Sequence, residues 1–151
     1  MLTAFALRRT RFLALAFLAL TAVSACGDDP VEPDPEPEVA SVRLTVGANS
    51  VTVSTTASPA LTVASGTNTV TAEWLRADGS VESIVTDAEF DLRITQTTGS
   101  NLTWTATGAR GGTLVVAGLA AGASTAAQVS LFHKAEQHSD FGPLTFTVRV
   151  P

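Results

Sequence analysis

Both histidines of the chain lie in one short stretch, SLFHKAEQHSDFGP, which runs from Ser130 to Pro143. His133, Glu136, His138 and Asp140 put two imidazoles and two carboxylates there. Imidazole nitrogen and carboxylate oxygen suit Zn²⁺ or Cu²⁺, so metal binding is the first chemistry to weigh. Parity adds some geometry. His133 continues the face of Val129 and Leu131 at a strand end, and a loop could fold His138 and Asp140 back toward it. Against this, H-x4-H-x-D is not a recurrent spacing of structural zinc sites. The competing reading makes Lys134 to Asp140 a solvated connection between the last two strands, with His133 packed at the sheet edge. Both readings stay open.

Other chemistry fails sooner. Ser139 sits between His138 and Asp140, but the members of a catalytic triad meet from distant segments, not as neighbours. Asp140-Phe141-Gly142 matches the triplet by which protein kinases hold Mg²⁺, without the catalytic loop or strand lysine of that machinery. GARGG (108–112) lacks the GK[ST] and the following helix of a phosphate cradle. Asn101-Leu102-Thr103 is a glycosylation sequon, of use only in a compartment this chain is not expected to enter. The expectation is a non-enzyme, with no catalytic residue and no cofactor other than such a metal ion.

The elements that position this stretch are strands. SVRLTV sets Val42, Leu44 and Val46 against Ser41, Arg43 and Thr45, and NTVTAEW sets Val70, Ala72 and Trp74 against Thr69, Thr71 and Glu73. EFDLRIT, NLTWTAT and LTFTVRV repeat the alternation, with Phe90, Leu92 and Ile94, then Leu102 and Trp104, then Phe146, Val148 and Val150 on the apolar side. A period of two means half-buried strands, and β-branched Thr and Val fit the pleat. ADGS (77–80) predicts a hairpin turn; TTGSN (97–101) and GARGG predict loops. Gly142 and Pro143 predict a fixed entry to the last strand, with Phe141 plugging the open end of the core. About seven to nine short strands without an amphipathic helix predict an all-β, two-sheet antiparallel sandwich over 41–151.

Ahead of the strands the chain divides by charge. Residues 1–25 carry Arg8, Arg9 and Arg11 and no acid; 27–40 carry six acids and no base; from Ser41 onward six bases face eight acids. The net charge of −5 therefore belongs mostly to a tail, and no nucleic-acid partner is expected, since that needs a basic face to neutralise phosphates. Cys26 is the only cysteine, so no disulfide within the chain is available. The arginines precede FLALAFLALTAV, an apolar run shorter than the roughly 20 residues of a bilayer span, so 1–25 reads as an export signal. It ends in VSAC, which resembles the lipobox of bacterial lipoproteins. That resemblance implies cleavage before Cys26, lipidation (palmitate-type acylation) of its sulfur, and a cell-envelope location. Two or three acyl chains anchor stably where one is marginal. Gly27 stands where an Asp would imply inner-membrane retention, so the resemblance implies the outer membrane. The acidic, proline-rich GDDPVEPDPEPE that follows, within a 26–40 linker, is expected to be a disordered spacer. At about 3.1 Å per residue it holds the domain up to roughly 35 Å from the lipid.

Two segments, LTVASGTNTVTAEWLRADGS (61–80) and GGTLVVAGLAAGASTAAQVSL (111–131), resemble group 2 bacterial immunoglobulin-like domains. In the second, Gly112, Val115, Ala117, Gly122, Ser124 and Val129 approximate that family's small-residue run. The resemblance implies an Ig-like sandwich used for adhesion or envelope scaffolding, with an unknown protein or cell-surface partner. The chain departs from the family pattern by continuing through FHKAEQHSDFGP into another strand.

Overall fold

Alternating Val and Thr bury every second side chain, and the computed structural model carries that pattern through residues 36–151, which are the ones it describes. The expected export signal, Cys26 and the expected linker up to residue 35 lie outside the described residues. Nine strands form: β1 (Ser41–Val46), β2 (Asn49–Ser54), β3 (Ala60–Thr62), β4 (Gly66–Leu75), β5 (Phe90–Gln96), β6 (Leu102–Gly108), β7 (Gly111–Val116), β8 (Ser124–His133) and β9 (His138–Arg149). They make two sheets, one ordered β2-β1-β4-β7-β6 and the other β3-β9-β8-β5. Every pairing is antiparallel except β3 with β9. The fold is the β-sandwich that the alternation predicts.

Inward-facing residues of both sheets meet in one core. Val42, Leu44, Trp74, Leu92, Leu114, Leu131 and Phe146 are completely buried in it. Each large apolar side chain so buried contributes on the order of 1.5–3 kcal/mol. Trp74 also finds a partner for its ring N–H, donating to Ala109 O at 2.7 Å. Trp104 is only half-buried, and its N–H donates to Leu92 O at 2.8 Å, which ties β6 to β5 of the other sheet. Gly112 makes room for that ring: a Cβ there would stand 2.3 Å from Thr105 O and 2.6 Å from the indole.

Three features differ from the sequence expectation. The 77–80 turn is present, closed by Arg76 N–H donating to Ser80 O at 2.9 Å. It leads to a single bridge, Leu75 to Val81, and not to a strand. Strands β2 and β3 add to the expected runs; β3, at three residues, is too short for any period to show.

The third difference matters most for function. The expected solvated connection from Lys134 to Asp140 is replaced by two long strands that run on to a tight turn. β8 continues to His133, β9 begins at His138, and these two histidines pair across the ladder. Backbone pairing satisfies N–H and C=O groups that a long loop would leave to water, so the ladder extends as far as the turn allows. Two bulges accommodate it. Leu131 pairs with Phe141 while Phe132 pairs with Ser139, which leaves Asp140 as an extra residue in β9. A second bulge lies between the Phe141 and Leu144 pairings, where Gly142 takes φ +83°; a Cβ there would stand 2.5 Å from Val129 O. Phe141 packs half-buried against the core, edge-on to Trp74 with ring centroids 5.9 Å apart.

Candidate metal centre

The β8–β9 turn is held from several directions. Gln137 N–H donates to His133 O at 2.9 Å, and Gln137 itself takes φ +59°, a conformation uncommon for a residue with a Cβ. Its side-chain amide donates to Lys134 O. Lys134 N–H donates to Glu89 O at 2.8 Å, while its ammonium donates to Asp87 O at 2.6 Å and lies 3.7 Å from an Asp91 carboxylate oxygen. The segment before β5 thus braces the hairpin tip.

Ladder pairing puts His133 and His138 on one face, the face that Leu131 and Phe141 turn toward the core. His133 is mostly buried and stacks on Phe90 of β5, centroids 4.7 Å apart and planes at 29°. His138 is half exposed, its ring 6.0 Å from that of His133 and at 70° to it. The bulge turns Asp140 in beneath them, and only 8% of its side chain reaches solvent. Glu136 comes from the turn itself and is exposed.

Distances define the cluster. His133 Nδ1 lies 3.7 Å from Glu136 Oε2 and 3.6 Å from Asp140 Oδ2. His138 Nδ1 lies 3.4 Å from Glu136 Oε2, and its Nε2 lies 2.7 Å from Asp140 Oδ1. That last approach is off the line of a ring N–H, so Asp140 Oδ1 is buried without a hydrogen-bond partner. His133, Glu136 and His138 each bring one donor atom within 4.8 Å of the other two. Donors on a tetrahedral ion at about 2.0–2.2 Å stand about 3.3–3.6 Å apart, close to the two separations of Glu136 from the imidazoles, 3.7 and 3.4 Å. All four residues singled out in sequence are brought together, three as a compact donor set and Asp140 against it.

Sequence reasoning missed Phe90, whose ring fixes His133, and the bracing by Lys134. Phe90 was visible as an apolar strand residue, but its pairing with His133 depends on the β5–β8 register. Other sequence features resolve without chemistry. Ser139 pairs with Phe132 on the opposite face of the hairpin. GARGG forms the β6–β7 turn beside a shallow concavity of ≈ 240 Å³ between Thr69, Thr71, Thr107 and Thr113. There Arg110 N–H donates to Asp87 Oδ1 at 3.1 Å and the guanidinium to Val85 O at 3.0 Å, so these donors hold a turn and not a phosphate. Cys26 lies outside the described residues. Among the described residues no helix is long and apolar enough to cross a membrane. No family model, curated protein or solved structure matches the chain.

Proposed function

We propose that this chain is a non-enzymatic, lipid-anchored envelope protein whose Ig-like sandwich works by binding, with a Zn²⁺ or Cu²⁺ ion at the β8–β9 hairpin as the ligand best supported by geometry. One observation carries the metal reading: His133, Glu136 and His138 each bring a donor atom within 4.8 Å of the other two, beside the largely buried carboxylate of Asp140. An Asp140 oxygen left without an aligned donor costs about 1–3 kcal/mol, and an ion that fixes the His138 ring beside it offsets that cost. Titrating Zn²⁺ and Cu²⁺ into the purified full chain in detergent is expected to show one saturable site near neutral pH. His133→Ala and His138→Ala are each expected to remove it; equal binding by these variants sinks the metal reading.

The broader frame is an adhesion or interaction module. It rests on the resemblance to Ig-like domains and on that of Val23–Cys26 to a lipobox, which together support a binding domain carried on a spacer above the membrane. A partner meeting the sandwich end would meet the hairpin tip, where Glu136 and His138 are exposed. Cys26→Ser is expected to leave the membrane fraction or to keep its signal uncleaved. A variant that is processed and still membrane-bound defeats the anchor.

A further inference from the structure

The four residues of the hairpin do not have equal claims to an ion, and the reason is the placing of the His138 ring. One imidazole offers one nitrogen to one ion. Here Nδ1 of His138 turns to Glu136 Oε2 at 3.4 Å, while Nε2 turns to Asp140 Oδ1 at 2.7 Å. The ring therefore stands between the two carboxylates, and an ion shared with Glu136 is not also reached through Nε2. His133 offers Nδ1, the atom that lies 3.7 Å from Glu136. Both histidines thus turn Nδ1 toward Glu136 Oε2, and the three residues are the ones whose donors lie within 4.8 Å of one another.

Resting on the metal-binding reading above, we infer that Asp140 is not a ligand but a positioning residue, which holds His138 with Nδ1 free, so that the ion has three protein donors and one open coordination position. Burial separates the roles. Asp140 has 8% of its side chain exposed and is fixed by the bulge, whereas Glu136 and His138 have 55% and 51% exposed, so the ion's outer side faces solvent. A metal-bound imidazole usually gives its other ring N–H to a carboxylate, which fixes tautomer and orientation. A slight turn of the His138 ring brings its Nε2–H into line with Asp140 Oδ1 and supplies the partner that oxygen lacks. Three protein donors of the His, His, Glu type leave a fourth position for water or another donor, unlike the four-donor closed sites that serve structure alone. The hairpin therefore takes up an exogenous monodentate ligand, a small anion or an imidazole, on the bound ion.

Co²⁺ loaded onto the full chain in detergent reports the coordination through its visible absorption, with azide and imidazole as probes. Saturable band shifts on adding either probe are expected, with the protein-to-metal ratio unchanged. Asp140→Asn is expected to keep the band positions and the probe response while metal affinity falls about 10–100-fold, the usual effect of losing such a support. Glu136→Gln, at an exposed position, is expected to change the bands themselves because it removes a donor. Metal binding without any probe response overturns the open position and leaves the metal reading standing. Loss of binding in Asp140→Asn with unaltered bands in Glu136→Gln makes Asp140 the ligand and also overturns the inference. If Co²⁺, Zn²⁺ and Cu²⁺ all fail to bind the unaltered chain, both readings fall together.

Discussion

Two carboxylates in this sandwich are buried, and they are treated in opposite ways. Glu82, in the irregular segment after β4, is completely buried and completely paired. Arg76 grips it with two bonds, Nε to Oε2 at 2.7 Å and Nη2 to Oε1 at 3.0 Å. Ile84 N–H donates to Oε1 and Glu38 N–H to Oε2, each at 3.1 Å. The Arg76 hydrogen bonds, with help from the two backbone N–H groups, outweigh burial and hold the Glu82 carboxyl down at about 2 from an ordinary 4.5. Asp140 is nearly as buried, yet its Oδ1 has no aligned donor. Both side chains have little contact with solvent; what differs is the number of N–H groups aimed at each oxygen. A buried acid whose lone pairs are all filled is part of the frame, whereas one left short beside two imidazoles has an oxygen free to take a ring N–H.

The comparison can be broken experimentally. The largest effect is expected at Glu82. Glu82→Ala strands Arg76 and two backbone donors, but the arginine side chain is 39% exposed and reaches water, so the loss belongs toward the lower end for a broken buried pair. About 2–3 kcal/mol is expected, read as a lower urea midpoint at unchanged slope. A loss within experimental error would mean that the network does not hold the fold. Acid comes next. Because the folded-state carboxyl is depressed, its contribution is full above pH 4.5 and fades as pH falls through about 2. Glu82→Gln should flatten that part of the stability profile, and an equally steep profile would assign the acid sensitivity elsewhere. The smallest effect is expected at Asp140. With no metal present, Asp140→Asn should leave thermal stability within about 0.5 kcal/mol of the unaltered chain or raise it, since no well-made hydrogen bond is lost. A destabilisation as large as that of Glu82→Ala would erase the distinction between the two acids.

Much of the frame was legible in the residues. Val42 and Leu44, Val70 and Trp74, and Leu92 and Ile94 are buried as their parity requires, because a pleated strand leaves no other choice. The residue types of the candidate site were legible as well: His133, Glu136, His138 and Asp140 stand close in sequence, and a hairpin keeps sequence neighbours together. Their roles were not. Whether Asp140 turns inward depends on one extra residue in β9, and that bulge is set by pairing with β8 and by the close approach of Gly142 to Val129 O. Little in the sequence marks Glu82 either: Arg76 meets it only when the 77–80 turn folds the chain back, and Glu38 only once β1 lies against β4. β3 escaped notice because a parallel pairing with β9 is a property of two distant segments and not of three residues.

The bond from Glu38 N–H to Glu82 has a mechanical consequence. Just behind it Ala40 N–H donates to Leu75 O at 2.8 Å, and the chain then enters β1, which is flanked on both sides by β2 and β4. Tension arriving along the polypeptide ahead of Glu38 meets this clamp first and then acts along β1, in shear against two ladders whose bonds must break together. Such tension is thereby taken up in the five-stranded sheet. The histidine hairpin belongs to the other sheet, outside both of those ladders.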